Sequence, residues 1–117
     1  MNSHDSHERP ARQALAVLER LEQLEGQVCV FGSLNADLTV ETQRLPDPGE
    51  TVTGGDLQVL PGGKSANQAV TAGLLGAPTV ILGAVGDDAH GRLLVESLGG
   101  AGVDTSHVRV EPEVPTG

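Results

Sequence analysis

Two short, nearly continuous apolar runs, Val28-Cys29-Val30-Phe31 and Thr79-Val80-Ile81-Leu82, each stop at a glycine, Gly32 and Gly83, and the hydrophobic period changes twice between them. Such runs bounded by turn residues read as strands buried on both faces, as in a parallel sheet. From Leu38 to Leu60, apolar Leu38, Val40, Val52, Leu57 and Val59 are interspersed with polar residues and broken by Pro46, Pro48, Gly49, Gly54 and Gly55. That pattern predicts short antiparallel strands with one wet face. Lys64 to Leu75 then carries Ala66, Ala69, Val70, Gly73 and Leu74 on one stripe, a helix stopped by Gly76. A second helical stretch runs from about Asp88 to Leu98, and Val103 to Val110 offers a third buried strand. The order is strand, antiparallel insert, helix, strand, helix, strand. It specifies an α/β fold, a parallel sheet with flanking helices plus a small antiparallel β lid. Three strands and two helices leave a sheet edge and much of one face uncovered. The sequence halts in turn chemistry at Pro115-Thr116-Gly117, so the sheet is expected to be incomplete and the chain truncated.

Ahead of the first strand, residues 1–9 are polar and are expected to be disordered. Residues 10–25 place Ala14, Val17, Leu18, Leu21 and Leu24 at helical spacing between Pro10 and Gly26, an amphipathic helix. Two segments follow: 1–26, a polar leader with this helix, and 27–117, the α/β unit. The formal net charge of -9, with seven Lys and Arg in all, argues against nucleic acid, which is bound through summed cationic contacts. No apolar stretch approaches the roughly 20 residues that span a bilayer, and the N-terminus has no signal-peptide core, so a cytoplasmic protein without membrane contact is expected. The single Cys, Cys29, rules out an internal disulfide framework, and its apolar neighbours predict a buried, inert thiol.

The densest cluster of glycine and polar residues is Pro61-Gly62-Gly63-Lys64-Ser65-Ala66-Asn67-Gln68, between a strand and a helix. Lys64 and Asn67 lie one turn apart at the positive end of the helix dipole. Asn35 and Asp37 follow the first strand, and ligands of open parallel sheets bind beyond the carboxyl ends of strands. Asp, two Asn and a Lys around a glycine-lined hollow suit a polyhydroxylated ligand, because a carboxylate accepts from vicinal hydroxyls and an amide both donates and accepts. Gly63-Lys64-Ser65 also matches the end of a phosphate-binding loop. That motif requires glycine at position 58, where Gln58 stands, and Pro61 removes an amide from the cradle. Asp87-Asp88 reads as a helix N-cap ahead of a metal site. His90 and His107 have no partner at ligand spacing.

Five motifs now stand in order: Gly32-Ser33-Leu34-Asn35-Ala36-Asp37, Pro48-Gly49-Glu50-Thr51-Val52-Thr53-Gly54, Gly62 to Ala69, Gly83-Ala84-Val85-Gly86-Asp87-Asp88 through Gly91, and Pro115-Thr116-Gly117. In order and spacing they resemble the ribokinase/PfkB family of sugar kinases over about residues 28–117. The resemblance implies a sugar site of Asn35, Ala36, Asp37, Gly63, Lys64, Ser65, Ala66 and Asn67, with ribose as the small-molecule partner. It implies that strands within about 38–60 close over the sugar as a lid and form a homodimer interface. It also implies phosphoryl transfer from ATP to the sugar's primary hydroxyl, with Mg²⁺ and a monovalent cation such as K⁺. The catalytic base and the nucleotide site would lie downstream, and this chain holds no catalytic residue of its own. Ser65 stands where the family usually carries glycine, so its side chain is expected either to crowd the pocket or to demand an altered turn. The helix at 10–25 is longer than the family needs. A non-catalytic sugar-binding or dimerisation module, and another sugar or nucleoside kinase of the family, remain open alternatives.

Overall fold

The structure, a computed structural model, describes residues 26–117 together with Arg12, Leu15, Ala16 and Glu19, which are helical and exposed. The expected leader at 1–9 and the rest of the expected 10–25 helix lie outside the described residues. The elements in chain order are β1 (Val28–Phe31), β2 (Asn35–Thr39), β3 (Gln58–Gly62), α1 (Lys64–Leu74), β4 (Thr79–Gly86), α2 (Ala89–Gly100), β5 (Val103–Asp104) and β6 (Val108–Glu111).

β4 is the spine. It pairs in parallel with β1 on one side, Val30 opposite Ile81. On the other it pairs in parallel first with β5, Thr79 opposite Val103, and then with β6, Gly83 opposite Val108. β2 and β3 form a separate antiparallel sheet, the predicted lid. The helices α1 and α2 pack against each other and against the parallel sheet. Between them lies one core, built from Val30, Ile81 and Val85 of the sheet, Ala66 and Ala69 of α1, and Leu94 and Leu98 of α2. Ile81, Leu94 and Leu98 are fully buried. Each such side chain contributes roughly 1.5–3 kcal/mol through its removal from water. No helix among the described residues is long and apolar enough to cross a membrane.

The parallel sheet with flanking helices and the small antiparallel sheet agree with the sequence; four details do not. First, β1 is not buried on both faces. Val30 points into the core, but Phe31 is 82% exposed. Side chains alternate across a strand, and both helices cover the Val30 face, so Cys29, Phe31 and Ala84 are left open to solvent. Second, and for the same reason, Cys29 is exposed and not a buried thiol. Third, the strand expected over 103–110 is broken in two, making a sheet of four strands. Asp104 Oδ1 accepts from Ser106 N at 2.9 Å, and Val108 N donates to Thr105 O at 3.0 Å, which turns the chain between β5 and β6. Fourth, the lid strands lie at the ends of the 38–60 region. Residues 40–57 form an irregular loop, and β2 begins earlier, at Asn35.

Candidate functional site

The end of β1 is tied to the start of α1 backbone to backbone. After Phe31 the chain turns through Gly32-Ser33, and Leu34 drops into the core, 4% exposed. That anchor brings Asn35 out at the surface as the first residue of β2. Opposite it stands Gly62, with Leu60 opposite Asp37. Asn35 and Asp37, two apart on a strand, share one face, and both are exposed. A Cβ on Gly62 would meet the Asp37 carboxylate, 2.6 Å from its Cγ. The carboxylate therefore lies directly over the Gly62 backbone.

Gly63 makes the turn from β3 into α1 at φ 99°, in the left-handed region that side chains disfavour. A Cβ there would lie 2.6 Å from Ser33 O and 3.0 Å from Asn35 N. Ala66 N donates to Ser33 O at 3.3 Å, and Asn67 N to Gly63 O at 2.9 Å. Lys64 and Asn67 are exposed at the start of α1, on the same end of the helix as Asn35 and Asp37. Ala66 itself is buried, 4% exposed, so only its backbone borders this turn. Ala36 is half-buried, and its amide donates to Gly117 O at 2.7 Å. Ser65 is half-buried, and its Oγ makes a long contact, 3.5 Å, with Phe31 O. Its hydroxyl thus turns to the end of β1.

The arrangement is a set of exposed polar side chains around the Gly62–Gly63 turn. On one side stands the carboxylate and amide of the lid strand. On the other are an ammonium, an amide and the positive end of α1. Such a set can accept and donate hydrogen bonds to neighbouring hydroxyls on a small ring.

Two features were missed by sequence reasoning. Arg44 forms a two-pronged ion pair with Glu50, one prong from Nη1 to Oε2 at 2.7 Å, and Asp47 N donates to Glu50 Oε2 at 2.8 Å. The Arg44 guanidinium first, and the Asp47 amide second, hold the Glu50 carboxyl down to about 2 from an ordinary 4.5. This fork closes the 40–57 loop. A cleft of about 640 Å³ lies within that loop, with none of Asn35, Asp37, Lys64 and Asn67 on its wall. The polar candidates Asn35, Asp37, Lys64 and Asn67 stand instead on either side of the Gly62–Gly63 turn. The second feature is Asp88. It caps α2 as expected, accepting from Gly91 N at 2.8 Å, but it also holds Thr116. Nothing in the sequence near Asp88 signals Thr116.

Among the described residues no three His, Cys, Asp or Glu side chains gather where they would hold a metal ion. The description of pfkB family carbohydrate kinases matches residues 25–117. The chain is 49% identical over 90 residues to a ribokinase of Arabidopsis thaliana, covering 75% of this chain and 24% of that protein. It is 46% identical over 81 residues to a ribokinase of Bacillus subtilis strain 168, covering 69% of this chain and 28% of that protein. The structure of Arabidopsis thaliana ribokinase complexed with ribose and ATP superposes with a TM-score of 0.70 at 46% identity, over 80% of this chain and 31% of that one. The chain thus spans about a quarter to a third of the length of these relatives.

Proposed function

The chain belongs to the pfkB family of carbohydrate kinases, and we propose that residues 27–117 are the sugar-binding N-terminal part of a ribokinase, an ATP-dependent enzyme that phosphorylates ribose at its primary hydroxyl. The observation that carries this reading is the register of the lid sheet. Asn35 stands opposite Gly62, and the Asp37 carboxylate lies over Gly62, beside the Gly63–Lys64 start of α1. The two lid residues bind ribose hydroxyls from above, and Lys64 and Asn67 bind them from the helix side. Gly63, Ser65 and Ala66 shape the floor with their backbone, and Ala36 holds the lid strand in place. The solved relative with ribose and ATP supports the choice of sugar and of phosphoryl donor.

Phosphoryl transfer needs the metal–nucleotide pair and a base aligned on one hydroxyl. In this reading ATP, Mg²⁺ and a monovalent cation such as K⁺ are held by parts of the family fold other than these residues. The 117-residue chain then binds sugar without transferring phosphate. The reading extends to a cytoplasmic location and to a homodimer through the lid sheet, where Leu38 and Leu60 are exposed, with Val40 and Leu57 exposed just beyond the strand ends.

Calorimetric titration of the purified chain with ribose, fructose and adenosine tests the reading. We expect ribose to bind, and Asp37→Ala to weaken it by roughly tenfold or more, as loss of a hydrogen-bonded carboxylate does. A folded chain that takes up no ribose would end it, as would tighter binding of fructose or adenosine. Formation of ribose phosphate from ATP by this chain would refute the absence of catalysis.

A further inference from the structure

The lid sheet shares no backbone ladder with the parallel sheet. Something else must fix Asn35 and Asp37 over the start of α1. One tie is the Gly63–Ser33 approach described above. The other runs through Asp88. Its Oδ1 accepts from Gly91 N at 2.8 Å and from Thr116 Oγ1 at 2.7 Å, and its Oδ2 accepts from Thr116 N at 2.8 Å. The Thr116 hydroxyl accepts in turn from Gly86 N, the last residue of β4, at 2.9 Å. The next residue, Gly117, accepts from Ala36 N at 2.7 Å. Ala36 sits between the two proposed sugar-binding residues. We infer that Asp88 is a positioning residue for the sugar site, acting through Thr116 and Gly117 to set Asn35 and Asp37 over α1. The inference rests on the sugar-site reading above.

Capping α2 needs only one acceptor, and Ser, Thr or Asn would serve. Asp88 uses two of its three bonds on a residue 28 positions away, one to an amide and one to a hydroxyl. Only an ionised carboxylate offers both oxygens as acceptors in this way. The fit is close: a Cβ on Gly86 would lie 2.7 Å from Thr116 N and 2.8 Å from Asp88 Oδ2. Glycine at the end of β4 thus leaves room for the Thr116 segment to lie against the strand. The path from the cap of α2 to the lid strand runs through hydrogen bonds of 2.9 Å or less, joined by the peptide link from Thr116 to Gly117.

The test uses the whole chain with Asp88→Asn, Thr116→Val and Thr116→Ser, reading ribose affinity by calorimetry and amide exchange at Ala36 and Ile81. Thr116→Val keeps the shape and the cap carboxylate, and it decides the matter should Asp88→Asn fail to fold. We expect Thr116→Val and Asp88→Asn to weaken ribose binding and to speed exchange at Ala36, each by roughly tenfold, the scale of hydrogen bonds to a charged group. Exchange at the core amide of Ile81 stays unchanged, and Thr116→Ser, which keeps the hydroxyl, stays within about threefold of the parent. Unchanged Ala36 exchange and ribose affinity in Thr116→Val overturn the inference. So does exchange that rises equally at Ala36 and Ile81, which marks a merely structural role. If the folded parent binds no ribose, the sugar-site reading fails, and with it the sugar role of Asp88; exchange at Ala36 then still decides whether the tie exists.

Discussion

The Asp37 carboxylate rests on the backbone of Gly62, across the lid sheet, where any Cβ at position 62 would lie 2.6 Å from its Cγ. Gly62 is strand backbone, absent from the glycines of positive φ, so alanine suits its conformation. What must yield is the free end of a short side chain. Gly62→Ala is therefore expected to leave the melting temperature nearly unchanged while moving the carboxylate off the Gly62 backbone. Ribose affinity should fall by roughly tenfold, the scale of one charged hydrogen bond. Retained affinity would show that Asp37 does not act from this position.

The neighbouring glycine behaves in the opposite way. At Gly63 the backbone has φ 99°, and a side chain would press on Ser33 O, which cannot swing aside. Gly63→Ala should destabilise the chain by about 1–3 kcal/mol, measured by urea denaturation. The pair of variants separates two expected outcomes: at position 62 the loss falls on ribose affinity, and at position 63 it falls first on stability.

Both strands of apolar run, both helices and the lid were legible because their signals are local: period, run length and the glycines that stop them. The candidate site could be proposed from sequence for a related reason, since Asn35, Asp37 and Gly62 to Asn67 cluster at element ends. What was hidden depends on partners distant in sequence. Phe31 and Val30 look alike in sequence, and only the placement of both helices on one face decides that Val30 is covered while Phe31 is not. Asn35-Ala36-Asp37 carries no strand signal of its own and becomes a strand by pairing with residues 60–62. The tie from Asp88 to Thr116 spans 28 positions and has no periodic trace.

Ser65 was expected to crowd the pocket or to demand an altered turn, and among the described residues no residue other than glycine has positive φ. The Ser65 hydroxyl instead turns toward Phe31 O at the end of β1. Ser65→Gly should accordingly leave ribose affinity within about threefold of the parent. It should lower stability by roughly 0.5–1 kcal/mol, because glycine gains chain freedom on unfolding. A large gain in affinity would restore the crowding account.

Leu94 has no exposed surface and fills the space between α2 and the sheet. Leu94→Ala should cost about 2–5 kcal/mol in denaturant unfolding, through lost burial and the cavity left behind. Phe31→Ala, 82% exposed on the open face, should change stability by less than about 0.5 kcal/mol. Similar costs at the two positions would mean that something covers Phe31.

Acid should reveal the carboxylate network. The Thr116 amide and hydroxyl, with the Gly91 amide, hold the Asp88 carboxyl at about 2, below its ordinary 3.8. In the unfolded chain these partners are gone, and the group takes up its proton at the ordinary value. The stability it confers is therefore complete above that value and is lost as pH falls from 3.8 through about 2. Glu50, held at about 2 from 4.5 by Arg44, adds a loss of the same sign that begins at slightly higher pH. Thermal unfolding followed by circular dichroism between neutral pH and about pH 2 should show the melting temperature falling throughout this window. Asp88→Asn should melt lower at neutral pH and fall less steeply in acid, and Glu50→Gln should flatten the curve from about 4.5 down to about 2. An Asp88→Asn curve parallel to the parent's would mean that Thr116 and Gly91 do not favour the ionised carboxylate.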